Sequence, residues 1–191
     1  MASFTSVVEM PLAQFVRALA AKQPTPGGGG SAAVAAAVGE ATAHMAAAYT
    51  TRKKDEASGA ADAARALGAA LGEPTATLAV ADADAAAYGA LQASWKDDAM
   101  SAEAKAEAAA RALAVPVGLV RAAHAKVALI GAFLPSCNPT IASDAKVGIH
   151  LLAGAARAAF QTVLVNAPEP ALADELRALL REIREAEDAI L

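Results

Sequence analysis

Apolar residues follow a helical pattern along most of this chain. In residues 171–191 leucines recur every three or four positions between charges of both signs, as on an amphipathic surface helix. In residues 31–54 nearly every residue is a helix former and few are polar, which is typical of a central helix. No segment alternates polar residues with Val, Ile, Thr or aromatics, as strands do. The pattern therefore predicts an all-α protein.

Prolines and glycines divide this pattern into separate elements, because Pro lacks an N–H and Gly is costly to order within a helix. We expect an up-and-down bundle of about six or seven helices that forms one domain over residues 1–191. The predicted helices span 9–22, 31–54, 55–95 with a break at 72–74, about 101–134 with a kink at Pro116, 143–166 and 171–191.

Composition adds an expectation about assembly. Hydrophobic residues make up 56% of the chain and aromatic residues only 4%, and alanine dominates the rest of the apolar set. Alanine buries little area, so each helix face contributes weakly to the stability of a monomer. Flat alanine faces also allow close docking of another chain. We therefore expect a symmetric homodimer that forms through the Ala-rich faces.

Charge and cysteine content narrow the class of protein further. The formal net charge is −4 with both signs interspersed, so no basic stripe suggests nucleic acid. No uninterrupted apolar run of about 20 residues predicts a membrane span, and residues 1–10 lack the basic start of a signal peptide. The single cysteine, Cys137, fits a reducing compartment and a structural role. We expect a cytoplasmic protein without a membrane partner.

A run of four glycines and a serine precedes the central helix. A Walker loop would need a Lys directly after the glycines, and a dinucleotide fingerprint would need a preceding strand; both are missing. The run could be a plain hinge between helices. It could also let another group approach the start of the helix closely, where free N–H groups attract anions or carbonyls. We expect it near the acidic and basic candidates described below. The residues are Gly27, Gly28, Gly29, Gly30 and Ser31.

Several motifs follow the run in a fixed order. After residues 24–31, Pro-Thr-Pro-Gly-Gly-Gly-Gly-Ser, the Ala-rich helix ends in Thr50 and a basic pair. Residues 84–88 read Asp-Ala-Ala-Ala-Tyr, and residues 115–116 read Val-Pro. Asn138 precedes Ser-Asp at 143–144, and Asn166 closes the next helix. In this order the motifs resemble the formimidoyltetrahydrofolate cyclodeaminase family, which includes methenyltetrahydrofolate cyclohydrolases, over about residues 15–166.

Three departures from the family pattern concern the substrate. The segment 89–102 is shorter than usual, with only Trp95-Lys96 as a partial substitute for a Leu-Pro-Lys loop. Ser101 stands near the place of a missing Arg, and Glu56 replaces the aromatic that usually follows the basic pair.

The resemblance implies chemistry at the carbon that links N5 and N10 of tetrahydrofolate. It implies most directly the conversion of 5-formiminotetrahydrofolate to 5,10-methenyltetrahydrofolate and ammonia. The alternatives are hydrolysis of the methenyl bridge and a non-catalytic member that binds folate or another heterocycle. An assembly module without a ligand is a further reading. Both reactions need proton transfers through a tetrahedral intermediate, and neither requires a cofactor or a metal.

Asp84 is the candidate acid or base. It lies in an Ala-rich helix where burial would raise its pKa toward the working range. The competing interpretation is a carboxylate paired with Lys53 or Lys54. Asp82 points about 200° away around the helix, so we expect it to be a solvated acid.

The candidate substrate-binding residues include the glycine run with Ser31. Lys53 and Lys54 could bind the glutamate tail or the pterin oxygen, although capping of the helix C-terminus is an alternative for at least one of them. Asp144 could hold the amide-like edge of a pterin or cap a helix, and Asn138 could orient it. The histidines at 44, 124 and 150 show no metal spacing, so we expect structural or surface roles for them.

Overall fold

The computed structural model describes residues 6–191, and every regular element in that range is helical. The all-α prediction is confirmed. A 3₁₀ turn, Leu134–Ser136, follows the seventh α-helix. The α-helices are α1 (Leu12–Ala20), α2 (Gly28–Ala48), α3 (Lys53–Ser58), α4 (Ala60–Leu71), α5 (Pro74–Leu78), α6 (Val80–Lys96), α7 (Ala102–Phe133), α8 (Ala142–Val165) and α9 (Pro170–Asp188).

The nine α-helices within residues 6–191 exceed the six or seven expected, because the predicted segment 55–95 is divided more finely. Gly59 separates α3 from α4 with a φ of 78°, a left-handed conformation that glycine adopts without strain. By contrast, Pro116 lies inside one continuous α7. Ser101 caps that helix as its position suggests, since its side chain accepts a hydrogen bond from the Ala104 N–H.

Helix α2 begins and ends earlier than predicted. Its first turn is made by the glycines themselves, from Gly28 onward. At its other end the chain leaves the helix at Tyr49, because Thr50 is fully buried and accepts a hydrogen bond from the Asn138 N–H at 3.0 Å. Asp55 then starts α3 by accepting the Arg52 N–H at 2.8 Å. The basic pair therefore lies on α3.

Helix α2 is the centre of the bundle and packs along α8. The two run antiparallel, because Gly28 at the start of α2 lies beside Thr162 near the end of α8. Helix α7 runs beside α8 in the opposite direction, since Ala112 of α7 contacts Asn166 at the far end of α8. Helix α9 packs against both. The core is made largely of alanines from α2 and α8. Its largest fully buried apolar side chains are Ile130, Ile149, Leu152, Leu176 and Ile183.

Helices α2 and α8 cross where two glycines face each other. A Cβ on Gly39 would lie 2.9 Å from the Leu151 Cβ and 3.0 Å from the Gly148 carbonyl oxygen. A Cβ on Gly148 would lie 2.8 Å from the Gly39 carbonyl oxygen. Such distances are too short for carbon, so both positions need a residue without a side chain.

Helices α7 and α8 are long and apolar enough to cross a membrane by length and composition. Core helices of globular proteins pass the same test, and both helices pack against α2 and against each other. Their apolar surface is therefore explained in part by packing in the bundle. The expectation that the protein has no membrane partner stays a prediction.

One ion pair is buried between α2, α5 and α7. Glu40 is fully buried, and its Oε2 accepts hydrogen bonds from Lys126 Nζ at 2.5 Å and Thr77 Oγ1 at 2.6 Å. Its Oε1 has no hydrogen-bond partner among the described residues. The charge is therefore balanced by Lys126, and the pair fixes α5 and α7 against α2.

The glycine crossing predicts a position-specific effect of alanine. Gly39→Ala should lower the free energy of unfolding by about 1–3 kcal/mol, because the added methyl group must push α2 and α8 apart. Gly154→Ala is the matched control on α8, where an added Cβ meets nothing within 4 Å. There the gain in helix propensity should stabilise the protein by about 0.5–1 kcal/mol. Urea unfolding measures both, and equal effects would contradict the steric account.

The buried pair predicts that a second substitution partly restores the stability lost by the first. Lys126→Met should cost about 3–5 kcal/mol of unfolding free energy, because it leaves an uncompensated buried carboxylate. Adding Glu40→Gln to that variant should recover part of the loss, since the neutral amide can still accept the Thr77 hydroxyl. Urea unfolding of the two variants and the wild type checks this. A double variant no more stable than Lys126→Met would show that the charge is not the cause.

Candidate active site

A cavity of about 590 Å³ lies at the end of the bundle where α2 begins. Its size suits a drug-sized or cofactor-sized molecule. The walls come from the segment before α2, the first turn of α2, one face of α6, Ala112 of α7 and the last two turns of α8. The lining residues are Pro24, Thr25, Gly27, Gly28, Gly29, Ser31, Asp84, Tyr88, Leu91, Trp95, Ala112, Ala158, Gln161, Thr162, Val165 and Asn166.

Asp84 lies against the first turn of α2, and glycine makes this approach possible. A Cβ on Gly29 would overlap the Asp84 carboxylate, so any larger residue there would displace the acid. The Gly30 N–H donates a hydrogen bond to the same carboxylate. Helix N-termini carry free N–H groups and a positive end of the macrodipole, which favour an acidic partner. The glycine run thus places an acid at the cavity wall.

Burial raises the pKa of Asp84, and the hydrogen bond from Gly30 opposes this only in part. The Ala-rich surroundings remove water that would solvate the charge, as the sequence suggested. Among the described residues no ion pair joins Asp84 to Lys53 or Lys54, so the competing interpretation of a salt-bridged carboxylate is wrong. A carboxyl group with a raised pKa beside a cavity can give and take protons.

Two aromatic side chains on α6 form another part of the wall. Tyr88 and Trp95 meet edge to face, with ring centroids 6.4 Å apart and an angle of 85° between the planes. Trp95 is 63% exposed, which is unusual for the largest apolar side chain of a protein. Together the rings offer a surface on which a flat heterocycle could pack.

The polar side of the cavity is contributed by the end of α8. The Asn166 amide donates to the Thr162 carbonyl at 2.9 Å and to the Ala112 carbonyl at 3.4 Å, which ties α8 to α7 at the cavity. The sequence motifs indicate Asn166 only as a family match, and they do not indicate Gln161 or Thr162. The spacing could have linked Thr162 to Asn166, because residues four positions apart lie on the same face of a helix.

The remaining predicted site residues lie at the opposite end of α2. Its 21 residues span about 30 Å. Lys53 and Lys54 are exposed on α3, and Asp144 lies in the first turn of α8. The expectation that the glycine run lies near the acidic candidate Asp84 is confirmed. Within one chain it does not lie near the basic pair or Asp144, and their roles in substrate binding stay predictions.

Asn138 shapes the loop before α8. It is buried, its Nδ2 donates to the Tyr49 carbonyl at 3.0 Å, and its Oδ1 accepts the Thr140 N–H at 3.1 Å. Cys137 beside it is buried as well and receives the Thr50 hydroxyl at 3.9 Å. In this chain Asn138 therefore joins the end of α2 to the loop, and it does not line the cavity.

Asp82 is not the solvated acid that its spacing suggested. It accepts hydrogen bonds from the Ser6 hydroxyl and, at 2.6 Å, from the Val7 N–H. These bonds fasten the segment before α1 to α6. Sequence spacing showed correctly that Asp82 and Asp84 face different directions, but not what Asp82 faces.

The histidines hold neighbouring elements together, in line with the roles expected. His44 bonds the Gly72 carbonyl at 2.7 Å, His124 bonds Glu182 at 2.6 Å, and His150 bonds Glu187 at 3.0 Å. No group of three or more His, Cys, Asp or Glu side chains that could hold a metal ion occurs within residues 6–191.

A family model described as formiminotransferase-cyclodeaminase matches residues 11–185 of this chain, which include every wall of the cavity. The chain belongs to this family. The formiminotransferase-cyclodeaminase match supports the coarse assignment to folate one-carbon chemistry, and it covers nearly all of the helices described above.

A solved structure shares the fold of this chain. The crystal structure of formiminotetrahydrofolate cyclodeaminase from Thermotoga maritima is similar with a TM-score of 0.72 and 21% sequence identity. The match covers 95% of this chain and 98% of that chain. At this identity the likeness shows a shared fold. No curated protein matches this chain significantly.

The raised pKa of Asp84 predicts a pH-dependent stability difference. The folded state binds a proton more tightly than the unfolded chain, so wild-type stability falls as pH rises from the ordinary Asp pKa to the raised one. Asp84→Asn removes this loss and should be more stable than wild type at neutral pH. The difference should vanish below the ordinary Asp pKa.

Thermal or urea unfolding would measure this difference. A range of about pH 3–8 runs from below the ordinary pKa of Asp to above neutral pH. Asp82→Asn is the control on the same helix. It should destabilise the protein at neutral pH, because it weakens the bonds to Ser6 and Val7. A neutral-pH loss of stability in Asp84→Asn would show that its carboxylate is a structural anion.

Proposed function

We propose that this chain is a folate enzyme that acts at the N5/N10 carbon of tetrahydrofolate, as a formimidoyltetrahydrofolate cyclodeaminase. The observation that carries the proposal is Asp84, a carboxyl group of raised pKa held by Gly29 and Gly30 at the wall of a 590 Å³ cavity. The family match and the similar cyclodeaminase structure support the choice of folate.

The cavity offers the parts that this reaction needs. N10 attacks the formimino carbon and a new carbon–nitrogen bond forms. The carbon of the resulting tetrahedral intermediate carries N5, N10 and the former formimino nitrogen. Asp84 takes the proton that N10 loses and delivers it to the departing nitrogen, which leaves as ammonia while the methenyl double bond forms. The formimino group starts protonated, as an amidinium with two N–H bonds, so the one proton that moves from N10 completes ammonia. The positive charge remains on the methenyl bridge, and the reaction balances without an added acid. A group that performs both transfers needs a pKa near the working pH.

The rest of the wall is suited to binding a flat, partly polar molecule. Tyr88 and Trp95 offer ring surfaces for the pterin or the aminobenzoyl ring. The Gln161 and Thr162 side chains offer hydrogen bonds to the pterin edge. Free N–H groups in the first turn of α2 suit its carbonyl oxygen.

Hydrolysis of the methenyl bridge is the second candidate reaction. It passes through a tetrahedral carbon at the same position and could use the same carboxyl group, with water in place of the formimino nitrogen. The structural likeness to a cyclodeaminase favours the first reaction.

Near-ultraviolet absorbance separates the two reactions. With 5-formiminotetrahydrofolate the methenyl absorbance should appear, and with methenyltetrahydrofolate its accelerated loss would show a cyclohydrolase. Asp84→Asn should lower kcat/KM by about 10²–10⁴-fold, the usual contribution of a positioned acid or base. Asp174→Asn changes an exposed acid on α9 that does not line the cavity, so this control should turn over normally.

Two outcomes would count against the proposal. Full turnover by Asp84→Asn would remove the assigned acid and base. Binding of both folates in calorimetry without any absorbance change would indicate a family member that binds folate without this chemistry.

A further inference from the structure

Asn166, where α8 ends, is a cavity residue whose side-chain amide has a fixed orientation. Its Nδ2 donates to the Thr162 carbonyl at 2.9 Å and to the Ala112 carbonyl at 3.4 Å. Turning the amide over would place Oδ1 against two carbonyl oxygens, and neither of these can donate a hydrogen bond. The nitrogen therefore faces the protein, and the oxygen points away from both carbonyls.

The Oδ1 atom of Asn166 is an acceptor without a partner. It accepts no hydrogen bond from any group in residues 6–191, although the nitrogen of the same amide makes two. It is not sealed in the core either, because within those residues the one sealed side-chain N or O atom without a partner is Glu40 Oε1. An accessible acceptor of fixed direction thus lies at the cavity wall.

The backbone around Asn166 is also held in place. The N–H groups of Asn166 and Ala167 donate to the carbonyls of Val163 at 3.0 Å and Leu164 at 3.2 Å. Ala167 has a φ of 49°, a left-handed conformation that is strained for a residue with a side chain. Such strain is retained where the surrounding contacts determine the conformation. Asn166 therefore presents its oxygen from a rigid turn.

The neighbouring uncharged polar side chains on α8 can adapt to a ligand of either polarity. Neither the Gln161 amide nor the Thr162 hydroxyl makes a side-chain hydrogen bond within the described part of the chain. A hydroxyl rotates and an unpaired amide turns over, so each can donate or accept. A group of fixed polarity, by contrast, distinguishes a donor on the ligand from an acceptor or an apolar group. On this face of α8 that group is Asn166.

The pterin ring of a folate offers a matching donor. Its 2-amino group carries N–H bonds that need acceptors when the ring is buried. Asp144 and Asn138 were expected to hold the pterin edge, but both lie at the opposite end of α2. Within the cavity, the Asn166 oxygen supplies an acceptor on the same wall as the rings of Tyr88 and Trp95.

We infer that Asn166 Oδ1 accepts a hydrogen bond from the 2-amino group of the pterin, and that Asn166 thereby selects 2-amino pteridines over rings that lack this donor. The inference rests on the proposed folate function and adds a specificity-determining residue to it. The proton transfers at the N5/N10 carbon remain with Asp84.

Binding tests this assignment without any turnover. Calorimetry compares tetrahydrofolate with its 2-desamino-2-methyl analogue, in which a methyl group of similar size replaces the amino group. The wild type should bind tetrahydrofolate about 10–100-fold more tightly, because the analogue leaves Oδ1 without a partner. Asn166→Ala should bind the two ligands within about threefold of each other, because the acceptor is gone.

Val163→Ala is the matched control for a general loosening of α8. Val163 is fully buried on the same helix and does not line the cavity. Its truncation should lower the stability of the protein, because it leaves a cavity in the core, and it should keep the wild-type ratio of the two affinities. Loss of that ratio in Val163→Ala as well would overturn the assignment to Asn166.

Steady-state kinetics separates this contact from the chemistry. With 5-formiminotetrahydrofolate, Asn166→Ala should raise KM about 10-fold or more and leave kcat within about threefold of wild type. The 2-amino group is remote from the reacting carbon, so its hydrogen bond is equally strong in the ground state and the transition state. A variant that lost kcat with an unchanged KM would contradict the assigned role.

The outcomes separate this inference from the proposed function. Equal binding of the two ligands by the wild type would overturn the inference even if the wild type turns over folate, and this measurement needs no variant. A preference that is lost in Asn166→Ala alone would support the inference, and it would do so even if the wild type showed no turnover and the proposed reaction failed. Binding of neither ligand would overturn both.

Discussion

The close crossing of α2 and α8 is the contact on which the rest of the structure depends. Gly39 and Gly148 let the two backbones touch, so alanines along both helices fill the core with little side-chain volume. Small residues yield little hydrophobic stabilisation each, and they stabilise the fold only when the helices lie this close. The first turn of α2 and the last turns of α8 therefore meet at a fixed distance, and the cavity lies between them.

At the candidate active site, too, a neighbouring group lies directly against a glycine. At the crossing the neighbour is another helix, whereas at Gly29 the neighbour is the Asp84 carboxylate. The absence of a side chain lets the acid enter an apolar setting and still accept an N–H from the helix start. Burial and this single hydrogen bond act in opposite directions on the pKa of Asp84, and burial has the larger effect. The helix that organises the core thereby also organises the candidate chemistry.

Family resemblance located the site more completely than physical patterning did. The family motifs indicated Asp84, the glycine run and Asn166, and all of these line or contact one cavity. The motifs also indicated Asn138, Asp144 and the basic pair as substrate-binding candidates, but these residues lie at the other end of α2. The order of motifs along the chain does not show at which end of the bundle each residue lies, because successive helices run in opposite directions.

The sequence by itself determined the helical class and the main breaks between helices, and its family motifs identified Asp84 as the candidate acid. Those properties depend on local propensity, on proline and glycine, and on the apolar neighbours of Asp84 along one helix. Only the tertiary structure decided that Asp82 fastens the segment before α1, that Glu40 pairs with Lys126 across the bundle, and that the predicted ligands divide between two ends. These contacts join residues far apart in the chain, and helical periodicity specifies a face but not the neighbour that the face meets.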